Sequence, residues 1–190
     1  MQTESIYEKR LKILKAIADL GGEARLIHIE EKSGLDSVET LRNIGVLCEE
    51  GFIRKLGTLP IYELTERGKK FVSSTFHLTK EQISKILGPV QFGEGFHFYW
   101  DMGQYTGRSS VTLEDFCKIL EEIDVRSIEF HNKNGDFEKW FLFLGDMELA
   151  DEMKEIRNLH LKGDSLRVKI VEAVRRRISE LLFLRSSISV

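Results

Sequence analysis

Apolar residues recur at helical three-and-four spacing through residues 5–20, at Ile6, Leu11, Ile13, Leu14, Ile17 and Leu20. This pattern predicts an amphipathic helix, ended by Gly21-Gly22, where glycine takes a left-handed cap without a Cβ penalty. A second short helix is expected over 24–32, with Leu26, Ile27 and Ile29 to bury, followed by a turn at Ser33-Gly34-Leu35. Asp36 or Ser37 can cap a third helix running to about Glu50, whose inner stripe is read as Val38, Leu41, Ile44, Leu47 and Cys48. Gly51 stops it. Residues 52–56 and 61–64 are β-prone and flank a turn-like Gly57-Thr58-Leu59-Pro60, which predicts a hairpin. A last helix starts at Thr65 and is expected to run to Val72, with Ser73-Ser74-Thr75 as a polar break.

The rest of the chain changes rhythm. Thr79 with Gln82 three residues on forms a capping-box pattern, predicting a short linker helix before Gly88-Pro89 and a glycine-containing connector to residue 95. Phe96-His97-Phe98-Tyr99-Trp100 is the densest aromatic run and reads as a strand, with residues 101–110 as a loop. Thr112 caps a helix carrying Leu113, Phe116, Cys117, Leu120 and Ile123 on one face. Residues 127–131 read as a second strand. Asp136 then opens a short helix with Phe137, Trp140, Phe141 and Leu144, and Asp146 caps another with Met147, Leu149, Ala150, Met153 and Ile156 inward. A long helix over 164–184 closes the pattern, striped by Leu166, Ile170, Val171, Val174, Ile178 and Leu181. The fold class is α+β: residues 1–78, a linker over 79–95, and a mostly helical domain with a small sheet over 96–190.

Two segments of the first domain carry a family likeness. Leu47-Cys48-Glu49-Glu50-Gly51-Phe52-Ile53 and Tyr62-Glu63-Leu64-Thr65-Glu66-Arg67-Gly68 resemble the late part of prokaryotic winged helix-turn-helix transcriptional regulators. The resemblance covers residues 7–72 and implies a DNA-binding mode in which the third helix enters the major groove. The residues that would then meet duplex DNA are Ser37, Glu39, Thr40, Arg42 and Asn43 on that helix. Arg42 suits guanine and Asn43 suits adenine. The wing would bring Arg54 and Lys55 to phosphates, with Lys9, Arg10, Lys12 and Lys15 as further candidates. Such regulators are commonly two-fold dimers, so a homodimer is expected, with the apolar tail Leu181-Leu182-Phe183-Leu184, Ile188 and Val190 docking on its own core or a second chain. Set against the DNA reading is a protein-interaction adaptor, whose winged helix binds protein.

The second domain resembles an uncharacterised domain family of bacteria and archaea, on Tyr105-Thr106-Gly107, Ser127-Ile128 with His131, Asp136-Phe137 with Trp140, and Leu149-Ala150. That family implies no activity. Thr106 to Ser110 precedes a helix N-terminus, where free N–H groups favour anions. Tyr99, Arg108, His131 and Trp140 are therefore the candidate lining of a pocket for a small anion or small-molecule effector.

Composition narrows the remaining choices. The 190 residues are 42% apolar and 31% charged, enough for packed cores and too rich for a disordered chain. Net charge is −3; residues 1–78 hold 12 basic and 12 acidic side chains, so a nucleic-acid reading rests on motif and local charge. Apolar runs fall far short of a membrane span of roughly 20 residues, and the N-terminus lacks an export leader. Cys48 and Cys117 lie 69 positions apart without metal-ligand spacing and read as buried thiols of a cytoplasmic protein. His97, His131 and Asp136 could converge, but no HxH, HxxxH or HExxH spacing supports a metal, and none is expected. Absent too are a nucleophile elbow, a P-loop and a dinucleotide fingerprint, so neither catalysis nor a cofactor is expected. Arg175-Arg176-Arg177 reads as the solvated face of the last helix, with phosphate contact as the alternative.

Overall fold

The computed structural model describes residues 6–187, which form a mostly helical α+β protein with small antiparallel sheets. Ser5, Ile188 and Val190, which the sequence placed in the first helix and the tail, lie outside the described residues. The chain divides into two compact units, 1–78 and 79–190.

In the first unit, α1 (Ile6–Asp19) is followed by β1 (Glu23–Arg25), α2 (Leu26–Ser33), α3 (Ser37–Glu49), β2 (Ile53–Lys55), β3 (Ile61–Leu64) and α4 (Glu66–Phe76). The strands form one antiparallel sheet in the order β1-β3-β2, with Glu23 opposite Glu63 and Ile53 opposite Leu64. The second helix begins later than expected because residues 23–25 are a strand. Gly21 and Gly22, at φ +93° and +92°, turn the chain back so that Leu64 N–H donates to Gly22 O (2.8 Å) and Leu26 N–H to Pro60 O (2.8 Å). Leu11, Ile13, Leu14 and Ile17 of α1 fill the core with Ile29, Ile44, Leu47, Ile53 and Phe71.

The serine run does not break α4. Ser73 and Ser74 donate to the carbonyls of Lys70 and Phe71 in the preceding turn (2.8 and 3.1 Å), satisfying their hydroxyls inside a helix, and Thr75 is buried. At its other end Thr65 ties α4 to the hairpin. Its hydroxyl accepts from Gly68 N–H (3.1 Å) and donates to Gly51 O (2.6 Å).

The second unit comprises α5 (Lys80–Leu87), β4 (Phe96–Tyr99), β5 (Tyr105–Ser110), α6 (Leu113–Glu122), α7 (Val125–Asn134), α8 (Asp136–Leu144), α9 (Met147–Asn158) and α10 (Gly163–Ser187). The capping box of Thr79 and Gln82 starts α5, and its Ile83 and Ile86 are buried, with α5 packed on α10. The segment read as a linker is thus part of this unit's core.

Two expectations exchange places. Residues 127–131 are helical, not a strand: Asp124 accepts from Arg126 N–H (2.9 Å) to start α7, and Ser127, Ile128, His131 and Asn132 bury one helical face. The second strand is instead residues 105–110, expected as loop. Trp100 N–H donates to Gln104 O and Gln104 N–H to Asp101 O (both 3.0 Å), so only 101–104 turn, and β5 returns along β4. Phe96 and Phe98 of β4 sit among Phe116, Phe137, Trp140 and Phe141, with neighbouring ring centroids such as Phe96–Phe116 at 5.2 Å and Phe116–Trp140 at 5.2 Å. Aromatic pairs at such separations add about 0.5–1.5 kcal/mol each beyond the area they bury.

Candidate functional site

Helix α3 starts at Asp36, whose carboxylate accepts from Glu39 N–H (2.8 Å), and packs one face on α1. That face differs from the one the hydrophobic spacing suggested. Thr40, Asn43, Ile44 and Leu47 are inside, whereas Val38 is 78% and Leu41 48% exposed. Of the expected stripe, Ile44 and Leu47 are inside and Cys48 is half-buried, while Thr40 and Asn43 take the inward positions expected of Val38 and Leu41. Lys9 pairs with Glu39, and Arg10 with Glu50 at 3.0 Å, fixing that side of α3 against α1. Asn43 tolerates burial because its amide donates to Glu39 O (2.8 Å). Thr40 and Asn43 therefore cannot meet a base, a correction to the expected DNA-facing set.

What remains outward on α3 is Ser37, Val38, Leu41, Arg42, Gly45 and, at its end, Glu49. Arg42 has no carboxylate partner among the described residues, and Glu39 of the helix and Glu50 just past its end are neutralised from α1. On the hairpin, Arg54 pairs with the cross-strand Glu63 yet is 69% exposed in its side chain, and Lys55 stands exposed beside it. Lys15 is engaged by Asp19 (3.1 Å) and, with Lys9 and Arg10, is committed within the unit. Sequence reasoning missed the exposed Arg25 on β1 and the outward Val38 and Leu41. Arg25 was hidden by reading its segment as helix, and the other two by assigning every apolar residue to the core.

The residues proposed for an effector pocket are not assembled as one. His131 is 4% exposed, and both ring nitrogens are occupied: Nε2 accepts from Tyr99 N–H (2.8 Å) and Nδ1–H donates to Asp136 Oδ2 (2.9 Å). It knots β4, α7 and the start of α8 together. Trp140 is 7% exposed and its indole N–H donates to Glu94 O (3.1 Å), so it is a core residue. Arg108 lies on β5 and pairs with Glu122 (2.8 Å). Tyr99 stacks obliquely on Tyr105 across the hairpin, at 5.4 Å between centroids. On the outer side of the hairpin the Ser109 hydroxyl lies 2.6 Å from both His97 Nδ1 and the Tyr105 hydroxyl, a chain of hydrogen bonds that sequence spacing did not reveal.

Burial holds the pKa of His131 below the ordinary 6.5, working against the raising influence of Asp136. The neutral ring is the one that can accept from Tyr99. Below about pH 6.5 the unfolded imidazole takes a proton that the folded one refuses, so the unfolded state binds more protons and stability falls as pH drops. The wild type should therefore show a steeper loss of thermal midpoint between about pH 7 and pH 5 than His131→Gln, which starts lower. Parallel pH profiles for the two proteins would exclude this role.

Cys48 and Cys117 are free thiols pushed up by burial, with Glu49 and Glu121 as the second influence, which makes both poor nucleophiles. Among the described residues no group of three His, Cys, Asp or Glu side chains could hold a metal ion, and no helix is long and apolar enough to cross a membrane. Only the first residue of the basic run of α10 is on a solvated face: Arg175 is exposed and pairs with Glu121, whereas Arg176 is half-buried with Glu152 and Glu180, and Arg177 is buried. Compared with models of protein families, with curated proteins and with solved structures, the chain matches none.

Proposed function

We propose that residues 1–78 are a winged helix that binds duplex DNA, with α3 in the major groove and the β2–β3 hairpin against the backbone, in a transcriptional regulator that acts as a homodimer. The element order supports the reading: a helix, a strand, two helices joined by a tight turn, a hairpin, and a sheet in the order β1-β3-β2. The observation that carries it is the outward face of α3. Its Arg42 is uncommitted, Glu39 and Glu50 are held by Lys9 and Arg10, and the one exposed acid of the helix, Glu49, lies at its last residue, two turns from Arg42. Arg42 offers a fork to guanine, Val38 and Leu41 offer apolar contact to thymine methyls, and Arg54, Lys55 and Arg25 offer cations to phosphates.

Fluorescence anisotropy with a labelled duplex of random sequence tests this. Arg42→Glu/Lys55→Glu should weaken binding at least tenfold, since each reversal replaces attraction to phosphate or base with repulsion. Lys55 is a better second site than Arg54, whose reversal would set two glutamates opposite each other on the hairpin. Equal affinity of the variant and the wild type would refute the assigned surface.

One observation favours a second reading. Val38 and Leu41, with Ile27 of α2 at 53% exposure, present apolar side chains outward. A protein-interaction adaptor would bury them against a partner. Val38→Ser, which adds no charge, separates the two readings, because an adaptor loses its partner while phosphate-dominated DNA binding falls only modestly.

A further inference from the structure

A cleft of the second unit lies apart from every residue discussed so far as a ligand contact. It opens between the C-terminal half of α7, the end of α9 and the connection into α10, with a volume of about 430 Å³, within the roughly 300–1,000 Å³ of small-molecule sites. We propose that it binds a small hydroxylated phosphate ester.

Charge gives the first reason. Lys133 from α7, Arg157 from α9 and Lys162 from the connection line the cleft, with His160 at its rim. Lys133 and Lys162 have no carboxylate partner among the described residues. Arg157 spends its Nε–H on Glu138 (2.7 Å), which orients the guanidinium while leaving its other N–H groups uncommitted. The one acid in the lining, Glu129, accepts from Gly163 N–H (2.8 Å) and so is spent on holding the start of α10. Three cations converging on one cavity suit a doubly charged anion better than a monocarboxylate.

Asn132 gives the second, independent reason. It lines the cleft, is 7% exposed, and its side-chain carbonyl has no hydrogen-bond partner. A buried acceptor left unpaired is costly, and a turn of the Asn132 amide toward the cleft would let a donor on a ligand satisfy it. A hydroxyl on a carbon skeleton supplies that donor while the phosphoryl oxygens stay on the cations; inorganic phosphate would have to spend its own P–OH group there. Leu161 and Leu166 provide an apolar side for a carbon skeleton. Such a ligand would be the effector of the proposed regulator, but the binding itself does not depend on whether residues 1–78 hold DNA.

Isothermal titration of the full chain, without DNA, with glucose 6-phosphate, glycerol 3-phosphate and AMP as probes tests the proposal. At least one phosphate ester should bind saturably, more tightly than inorganic phosphate, while glucose does not bind. Lys133→Glu/Lys162→Glu, two exposed positions whose change leaves the core intact, should weaken that binding at least tenfold. No saturable binding by any of the three esters would overturn the proposal, as would inorganic phosphate binding equally well or a double variant that binds as the wild type does. DNA affinity of the same double variant should be unchanged in the absence of ester, so loss of the pocket and failure of the DNA reading are told apart.

Discussion

Arg177→Met is expected to cost the second unit about 3–5 kcal/mol, the range for breaking a buried ion pair from one side. Arg177 is 2% exposed in the middle of α10, and its guanidinium reaches both oxygens of Asp146, Nε lying 3.0 and 2.9 Å from them, and Glu180 at 3.3 Å. Burial works to lower its pKa, and Asp146 with Glu180 and Glu148 more than reverses that, so the side chain stays charged. Asp146 also accepts from Leu149 N–H (3.2 Å), capping α9. Removing the cation strands a carboxylate that is 1% exposed and loosens the junction of α8, α9 and α10 together. Urea unfolding followed by Trp140 fluorescence measures it. Changing Asp146 and Glu180 to apolar residues in the same protein should restore much of the loss, since replacing an entire buried network is nearly neutral. A loss under about 1 kcal/mol for Arg177→Met would mean that the network behaves as an exposed pair does.

Gly68→Ala is expected to destabilise the first unit by about 3 kcal/mol, the upper end of overpacking costs. On an open helix the change would stabilise by up to about 1 kcal/mol. Here an added Cβ would stand 2.0 Å from the Phe52 carbonyl oxygen and 3.2 Å from Leu64 Cδ2. The obstacle is backbone, so it cannot swing aside, and relief requires α4 to leave the hairpin that Thr65 anchors. Gly45→Ala in α3 is the control of opposite sign, because nothing lies within 4 Å of its Cβ position. If both substitutions stabilise in urea, the close approach of α4 to the Phe52 backbone is wrong.

Gly68 also shows why part of the fold was legible. Leu64-Thr65-Glu66-Arg67-Gly68 reads as a motif because a buried strand end, a cap and a forced glycine must follow in that order. Capped helices such as those begun by Thr112 and Asp146 were equally readable, since the signal is local. Residues 127–131 were not: Ser-Ile-Glu-Phe-His alternates like a strand, and only the cap at Asp124 and the αL Gly135 place it in a helix. The inward face of α3 was hidden for a different reason. Its first turns bury Thr40 and Asn43 and expose Val38 and Leu41, against the apolar spacing, and the ion pairs that accompany this face join α1 at sequence separations of 30 and 40. His131 and Trp140 were read as pocket lining, but they are core residues whose polar atoms are satisfied by Tyr99, Asp136 and Glu94, partners that spacing does not reveal. The cationic cleft draws Lys133, Arg157 and Lys162 from three elements and left no motif.

The central claim is that the first unit holds DNA through outward-facing cations on a nearly neutral body, and its most direct test is affinity for duplex DNA as a function of salt. Each neutralised phosphate contributes a slope of about −0.9 in log affinity against log salt. Contacts from Arg25, Arg54 and Lys55 on each protomer of a dimer therefore predict a slope of about −5, reduced by about 2 when Lys55 is reversed in both protomers. A wild type that fails to bind at low salt, or whose affinity is flat across the series, would contradict the account and leave the apolar face of α3 to a protein partner.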